Sequence, residues 1–310
     1  MLHEVSFASY NGRDQVQGWI YVPACKPKGI VQVIHGFGEH SRRYLHMISA
    51  FMDAGYIVAA DDHVGHGKTA MVNNVWGDWG DKGPHTMMED EHTLKGIVCE
   101  KYPDLPYFLF GHSMGSFIAR NYLCRYGSGI GGAVIVGTGM QPAGLIFASK
   151  AMAGIQKLFC GSKHVSHFID KAAFGGYNKR IDSPRTSSDW LSRNTENVDR
   201  YIADELCGFT FTVNGFQTLF ELIRRLQKQE NLEKVPQNLP ILMVSGAEDP
   251  VGDYGKGVHK ACDSLKRAGV KNITVKLYEN DRHELLNEDD AETAMEDIWQ
   301  WICKEIPGIA

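Results

Sequence analysis

The chain has 310 residues, 43% hydrophobic and 22% charged, enough for a large buried core and compatible with one domain that carries an insertion. Its 32 Lys+Arg against 37 Asp+Glu give a net charge of −5, which excludes a general basic footprint for nucleic acid. Seven cysteines, an odd number without a Cys-x-x-Cys pair, argue against a disulfide framework or zinc ribbon and fit a reducing cytoplasm. The start, Met1-Leu2-His3-Glu4, has neither the basic nor the apolar run of a signal peptide. The uncharged stretch 126–149 holds seven glycines and Pro142, so it reads as turn, strand and loop and not as a transmembrane segment. The expectation is a soluble, cytoplasmic protein.

Two β-rich runs, 4–9 and 15–22, flank Asn11-Gly12 and predict a leading hairpin. A β-branched strand over 29–34 ends at His35-Gly36, and 42–54 carries Leu45, Ile48, Phe51 and Met52 at helical spacing. A buried strand over 56–60 follows. Helix 86–100, strand 107–110, helix 114–126 and strand 133–136 continue the alternation. Such alternation predicts a mostly parallel central sheet flanked by helices on both faces. The rhythm stops near Met140. Up to residue 239 there are helical stretches, 145–159 and 216–229, and a polar, loop-like segment over 182–197, but no strand of comparable strength. From Pro240 it resumes with strand 241–245, helix 255–268, strand 273–277 and a closing helix over 289–306. The expected organisation is an α/β core from residues 1–139 and 240–310, interrupted by a helical cap insertion over 140–239.

The strongest chemical signal is Gly111-His112-Ser113-Met114-Gly115. Two glycines around a serine are common by chance, but here an apolar strand precedes them and a helical pattern follows. That context predicts a sharp strand-to-helix turn with Ser113 at its tip, where positions 111 and 115 touch and only small residues fit. A nucleophilic serine needs a base and an orienting acid, in the chain order serine, acid, histidine for this architecture. Strand 241–245 is followed by Glu248 and Asp249, and strand 273–277 by a loop with His283. Asp249 is preferred because it precedes Pro250 at the strand end, and its shorter side chain holds an imidazole more rigidly. His259, the rival base, falls within a predicted helix. Two backbone N–H groups should form the oxyanion hole: that of Met114, and that of Phe37 in the glycine turn His35-Gly36-Phe37-Gly38.

Together, the segments His35-Gly36-Phe37-Gly38-Glu39-His40-Ser41, Asp62-His63-Val64-Gly65-His66-Gly67 and Gly111–Gly115, with the closing Asp249 and His283, resemble the monoacylglycerol lipase and lysophospholipase branch of the α/β-hydrolases. One departure is Phe37, where the related lipases have a small residue. The resemblance implies the α/β-hydrolase fold, a catalytic triad of Ser113, Asp249 and His283, and oxyanion amides on Phe37 and Met114. It also implies hydrolysis of lipid-like carboxylic esters through an acyl-serine intermediate, with no cofactor. An aminopeptidase- or amidase-like activity on the same triad is the alternative enzyme reading, because the insertion contains Asp182, Asp189, Asp199, Asp204 and Glu205 to hold a free amine. A catalytically silent binding module is a third reading, but all three triad residues are present.

Three motifs are near-misses. Gly65-His66-Gly67-Lys68-Thr69 ends like a phosphate-binding loop, yet Asp62 stands where the leading glycine belongs. His283-Glu284-Leu285-Leu286-Asn287 resembles a zinc-protease helix, yet Asn287 replaces the second histidine. His63 and His66 have metal-ligand spacing, but no acidic or thiol cluster is expected beside them, so no metal is predicted. In the insertion, 145–159 is apolar with only two lysines. Phe147 and Phe159 are therefore candidates to line the substrate entrance, and this face is also expected to touch a membrane surface transiently.

Overall fold

Uninterrupted β-branched and aromatic runs become interior strands when helices cover both their faces. A computed structural model describes residues 1–305. Its strands are β1 (Leu2–Ala8), β2 (Gln15–Tyr21), β3 (Gly29–Ile34), β4 (Tyr56–Asp62), β5 (Tyr107–His112), β6 (Gly132–Val136), β7 (Ile241–Gly246) and β8 (Ile273–Tyr278). Every residue of β3, β4, β5, β6 and β7 is buried. All eight form one sheet in the order β1-β2-β4-β3-β5-β6-β7-β8. Only the pairs β1/β2 and β2/β4 are antiparallel. The remaining five pairs are parallel.

The helices between these strands are α1 (Leu45–Asp53), α2 (Gly67–Asn73), α3 (Pro84–Lys101) and α4 (Met114–Tyr126). The segment between β6 and β7 contributes α5 (Ala143–Cys160), α6 (His167–Phe174), α7 (Thr195–Ala203), α8 (Val213–Arg225) and the short α9 (Gln229–Leu232). The chain closes with α10 (Lys256–Arg267) and α11 (Ala291–Glu305). One face of the sheet packs on α1 and α11 through Ile48, Phe51, Ile298 and Trp301. The other packs on α3, α4 and α10 through Leu94, Ile118 and Leu265. Ile306, the last residue of the anticipated closing helix, lies outside the described residues.

The core elements lie where periodicity placed them, but the insertion differs. Part of the polar 182–197 stretch is helical, because Asn194 caps α7 by accepting the Asn197 N–H at 3.1 Å. Polarity there marks a helix start as well as a loop. Thr212 caps α8 through Gly215 N–H at 3.1 Å, so that helix begins earlier than its apolar pattern suggested, and it stops at Arg225. Among the described residues the insertion has no strand, only the isolated bridge between Val165 and Thr212. No helix of the described residues is long and apolar enough to cross a membrane.

Candidate active site

Ser113 sits between β5 and α4 with φ 54° and ψ −119°, a left-sided conformation costly for any residue with a Cβ. Close backbone packing enforces it. A Cβ on Gly115 would lie 1.9 Å from the Ile34 carbonyl oxygen, and one on Gly111 would lie 2.5 Å from that of Gly115. The turn is pinned by the Ser113 N–H, which donates to Val136 O at 3.0 Å.

Asp249 and His283 are brought together by the ends of β7 and β8. Asp249 Oδ2 lies 3.0 Å from His283 Nδ1. The same carboxylate accepts the Ser245 hydroxyl at 3.1 Å and the Val251 N–H at 2.8 Å. Both residues are almost fully buried. The strand end and the histidine loop touch: Glu248 N–H donates to Asp281 O at 2.9 Å, and a Cβ on Gly246 would meet that oxygen at 2.1 Å. Glu248 itself is exposed, with Arg282 3.9 Å away, and His259 is exposed on α10. The acid and the histidine chosen from chain order are therefore the pair that meets. The Ser113 hydroxyl makes no hydrogen bond to His283 in this structure, although both line one cavity. Such contacts often tighten only when substrate is bound.

That cavity is about 630 Å³ and opens between the sheet and the insertion. Phe37 and Met114 line it, and among the described residues neither of their N–H groups has a hydrogen-bond partner. Apolar side chains of α5 and α8, including Leu145, Ile146, Leu219 and Ile223, form much of the wall. The Phe37 ring stacks on Phe211 with centroids 3.6 Å apart, so its bulk joins an aromatic cluster that includes Phe174 and Phe216 of the insertion. Phe147 and Phe159 do not line the cavity. They are 77% and 84% exposed, which corrects their assignment as entrance residues. The helix runs as anticipated, but its Leu145, Ile146 and Ser149 side faces inward.

Sequence reasoning missed the buried ionic network behind the glycine turn. Glu39 accepts the Gly36 N–H and the Tyr44 hydroxyl, both at 2.7 Å. Arg43 bridges Glu39 (2.8 Å) to both oxygens of Glu284 (2.5 and 2.8 Å). Asn197 of α7 donates to Glu284 at 2.6 Å. Burial alone would raise the Glu39 carboxyl, but His112 and the Arg43 charge hold it well below the carboxylate range. Burial opposes the Glu284 shift too, and Arg43 overcomes it. The only sequence signals were Glu39 within the glycine turn and Glu284 next to His283, and nothing local pairs them.

The expected absence of acids beside His63 is also corrected. Asp61 Oδ1 and Glu91 Oε1 lie 3.6 and 3.2 Å from His63 Nδ1. Asp61 directly precedes the segment 62–67, whereas Glu91 arrives from α3 and is remote in sequence. The phosphate-loop look-alike is a turn held by Asp62, which accepts the Lys68 N–H at 2.6 Å.

The sequence profile described as serine aminopeptidase, S33, matches residues 25–290. The chain belongs to this family. Within the α/β-hydrolase superfamily it is similar to monoglyceride lipases. It is 28% identical to a monoacylglycerol lipase of Mycolicibacterium smegmatis over 98% of each chain. It is also 28% identical to the monoglyceride lipase of Homo sapiens, over 90% of this chain and 84% of that one. A crystal structure of a highly thermostable carboxyl esterase from Bacillus coagulans, in complex with glycerol, superposes with a TM-score of 0.93. Its identity is 42%, covering 100% of this chain and 99% of that one.

The network makes a pH-dependent prediction. Glu39 and Glu284 have folded-state pKa values below their unfolded ones, so their contribution is complete above roughly pH 4.3 and is lost as pH falls through the folded values. Arg43→Met should destabilise the protein at pH 7 by about 3–5 kcal/mol, because two buried carboxylates lose their cation. Their pKa values would then rise, so the deficit against the parent should shrink as pH is lowered from 7 to 5. Urea midpoints of both proteins across that range check it; a deficit independent of pH would show that the carboxylates do not depend on Arg43.

Proposed function

We propose that this carboxylic ester hydrolase cleaves lipid-like esters, of the monoacylglycerol or lysophospholipid class, through an acyl-enzyme on Ser113. The observation that carries this reading is His283, paired with the buried Asp249, sharing a largely apolar cavity with the strained Ser113. Asp249 accepts the Nδ1 hydrogen of His283, which leaves Nε2 free to take the serine proton as the ester carbonyl is attacked. The same nitrogen then returns a proton to the leaving alcohol, and water repeats the cycle on the acyl-enzyme. The unpartnered Phe37 and Met114 N–H groups receive the developing oxyanion. The acyl chain lies along Leu145, Ile146, Leu219 and Ile223, whose only interaction with it is burial.

An aminopeptidase would need carboxylates facing the cavity to hold a free amine. Asp182, Asp189, Asp199, Asp204 and Glu205 do not line it. Asp189 accepts the Arg185 and Thr186 N–H groups, Asp199 pairs with Arg185 at 2.8 Å, and Asp204 pairs with His40 at 2.9 Å. Of the carboxylates that do line the cavity, Glu39 and Glu284 are paired with Arg43, which leaves Asp170 and Asp253, so the five acids named from the insertion do not carry the aminopeptidase reading.

In this reading residues 140–239 are the cap over a core of 1–139 and 240–310. The exposed Phe147, Leu158, Phe159 and Phe168 then form an apolar surface for transient contact with lipid. Residues 143–181 carry six Lys or Arg against one Asp, in a chain of net charge −5, which suits an anionic membrane surface. Seven free cysteines are in keeping with a cytoplasmic location.

A substrate panel tests the reaction class. Monoacylglycerols and medium-chain p-nitrophenyl esters should turn over, and aminoacyl anilides should not. Ser113→Ala should lose fluorophosphonate labelling and about 10⁶-fold in kcat. Asp249→Asn should lose about 10⁴-fold while Glu248→Gln stays near the parent. Anilide turnover exceeding ester turnover would reverse the reading. The cap is tested separately: Phe147→Asp with Phe159→Asp should leave p-nitrophenyl acetate turnover unchanged. The same double variant should weaken co-sedimentation with anionic vesicles and slow hydrolysis of vesicle-borne monoacylglycerol. Equal losses on both substrates would mean that these side chains support the fold instead.

A further inference from the structure

Behind the glycine turn, His63, Asp61 and Glu91 converge from the β4 end and α3, all nearly inaccessible to solvent. The His63 ring fixes the chemistry. Its Nε2 lies 3.2 Å from the His35 carbonyl oxygen, which can only accept, so Nε2 carries a hydrogen. Nδ1 then faces Asp61 Oδ1 and Glu91 Oε1, and neither contact has hydrogen-bond geometry. Both Asp61 oxygens and Glu91 Oε1 lack any donor. Three carboxylate oxygens meeting a ring nitrogen in a buried site is unfavourable without positive charge among them, which either a proton on Nδ1 or a metal ion can supply.

We propose that Asp61 Oδ1, His63 Nδ1 and Glu91 Oε1 hold a divalent transition cation of the zinc class, bound as a structural ion. The spacing fits. The ligand atoms lie 3.2 and 3.6 Å from the nitrogen and all within 4.8 Å of one another. A tetrahedral ion with bonds of 2.0–2.2 Å has ligand-to-ligand edges of about 3.4 Å. One imidazole and two carboxylates form a mixed nitrogen–oxygen set that zinc accepts, with a fourth position for water. The supporting contacts are those that orient metal ligands elsewhere: the spare His63 N–H goes to a backbone carbonyl. Gln32 donates through Nε2 to the other Glu91 oxygen and accepts the Tyr107 hydroxyl at Oε1. The ion would tie β4 to α3 directly behind the oxyanion turn, since the His63 N–H also donates to His35 Nε2 at 3.0 Å. It plays no part in the ester chemistry, so the inference stands or falls independently of the proposed function.

The test uses the full-length chain. Elemental analysis of the purified protein should find one zinc per chain. The melting temperature should be higher with zinc chloride than with EDTA, and cobalt-loaded protein should show the visible bands of four-coordinate Co(II). Asp61→Asn and Glu91→Gln should each lose the bound metal and the zinc-dependent shift in melting temperature. Because the two isosteric changes lie on different elements, one folded variant, checked by far-UV circular dichroism, is enough. No stoichiometric metal and no zinc-dependent shift in the parent would overturn the proposal, leaving a proton to hold the cluster. Metal retained in full by a folded variant would also overturn it, by placing the ion elsewhere.

Discussion

The backbone of α4 lies against the end of β3 with no room for a side chain, and the rest of the site depends on that contact. Gly115 can approach the Ile34 and His35 carbonyls only because it has no Cβ. The approach places the Ser113 turn beside the glycine turn at Gly36, where an added Cβ would sit 3.1 Å from the Ser113 Cβ. The proposed nucleophile and both proposed oxyanion amides are thus fixed by one piece of backbone geometry, before any side chain contributes. The strain at Ser113 is supported by the fully buried strands on either side.

Electrostatics then couples this frame to the helical insertion. Arg43 sits between two buried carboxylates, one bonded to the oxyanion turn and the other adjacent to His283. Asn197, the His40–Asp204 pair and the Gly208 N–H to Gly38 carbonyl bond bring α7 and its flank onto the same turn. Charges this deep are tolerable only when fully paired. The insertion is therefore joined to the loops that carry Gly38 and Glu284 by polar contacts on one side and by the Phe37–Phe211 stack on the other. The cavity between them is bounded by rigid backbone below and apolar helix faces above.

Much of this was legible in the sequence, for physical reasons. Strands buried on both faces are continuous apolar runs, so β3 and β5 to β7 stand out, and the loops at their ends deliver Ser113, Asp249 and His283 in order. The insertion was harder to read. The start of α7 was hidden because its cap residues are polar, as loop residues are. An apolar stretch such as 145–159 reports that a helix has a buried side without saying which side, and Phe147 and Phe159, expected at the entrance, face solvent away from the cavity. The Glu39–Arg43–Glu284 network and the Asp61–His63–Glu91 cluster join residues far apart in the chain, and no local pattern encodes such pairings. The acids beside His63 escape local patterns because Glu91 comes from α3, remote in the chain from His63.

The central claim is geometric: a tetrahedral oxyanion on Ser113 is received by the Phe37 and Met114 amides while His283 stays paired with Asp249. A crystal structure of the chain after reaction with an alkyl fluorophosphonate measures this directly. The account predicts phosphorus bonded to Ser113 Oγ, with the phosphonyl oxygen about 2.7–3.1 Å from both amide nitrogens. The alkyl chain should lie against Leu145 and Leu219. An adduct on another residue, or a phosphonyl oxygen turned away from both amides, would contradict it.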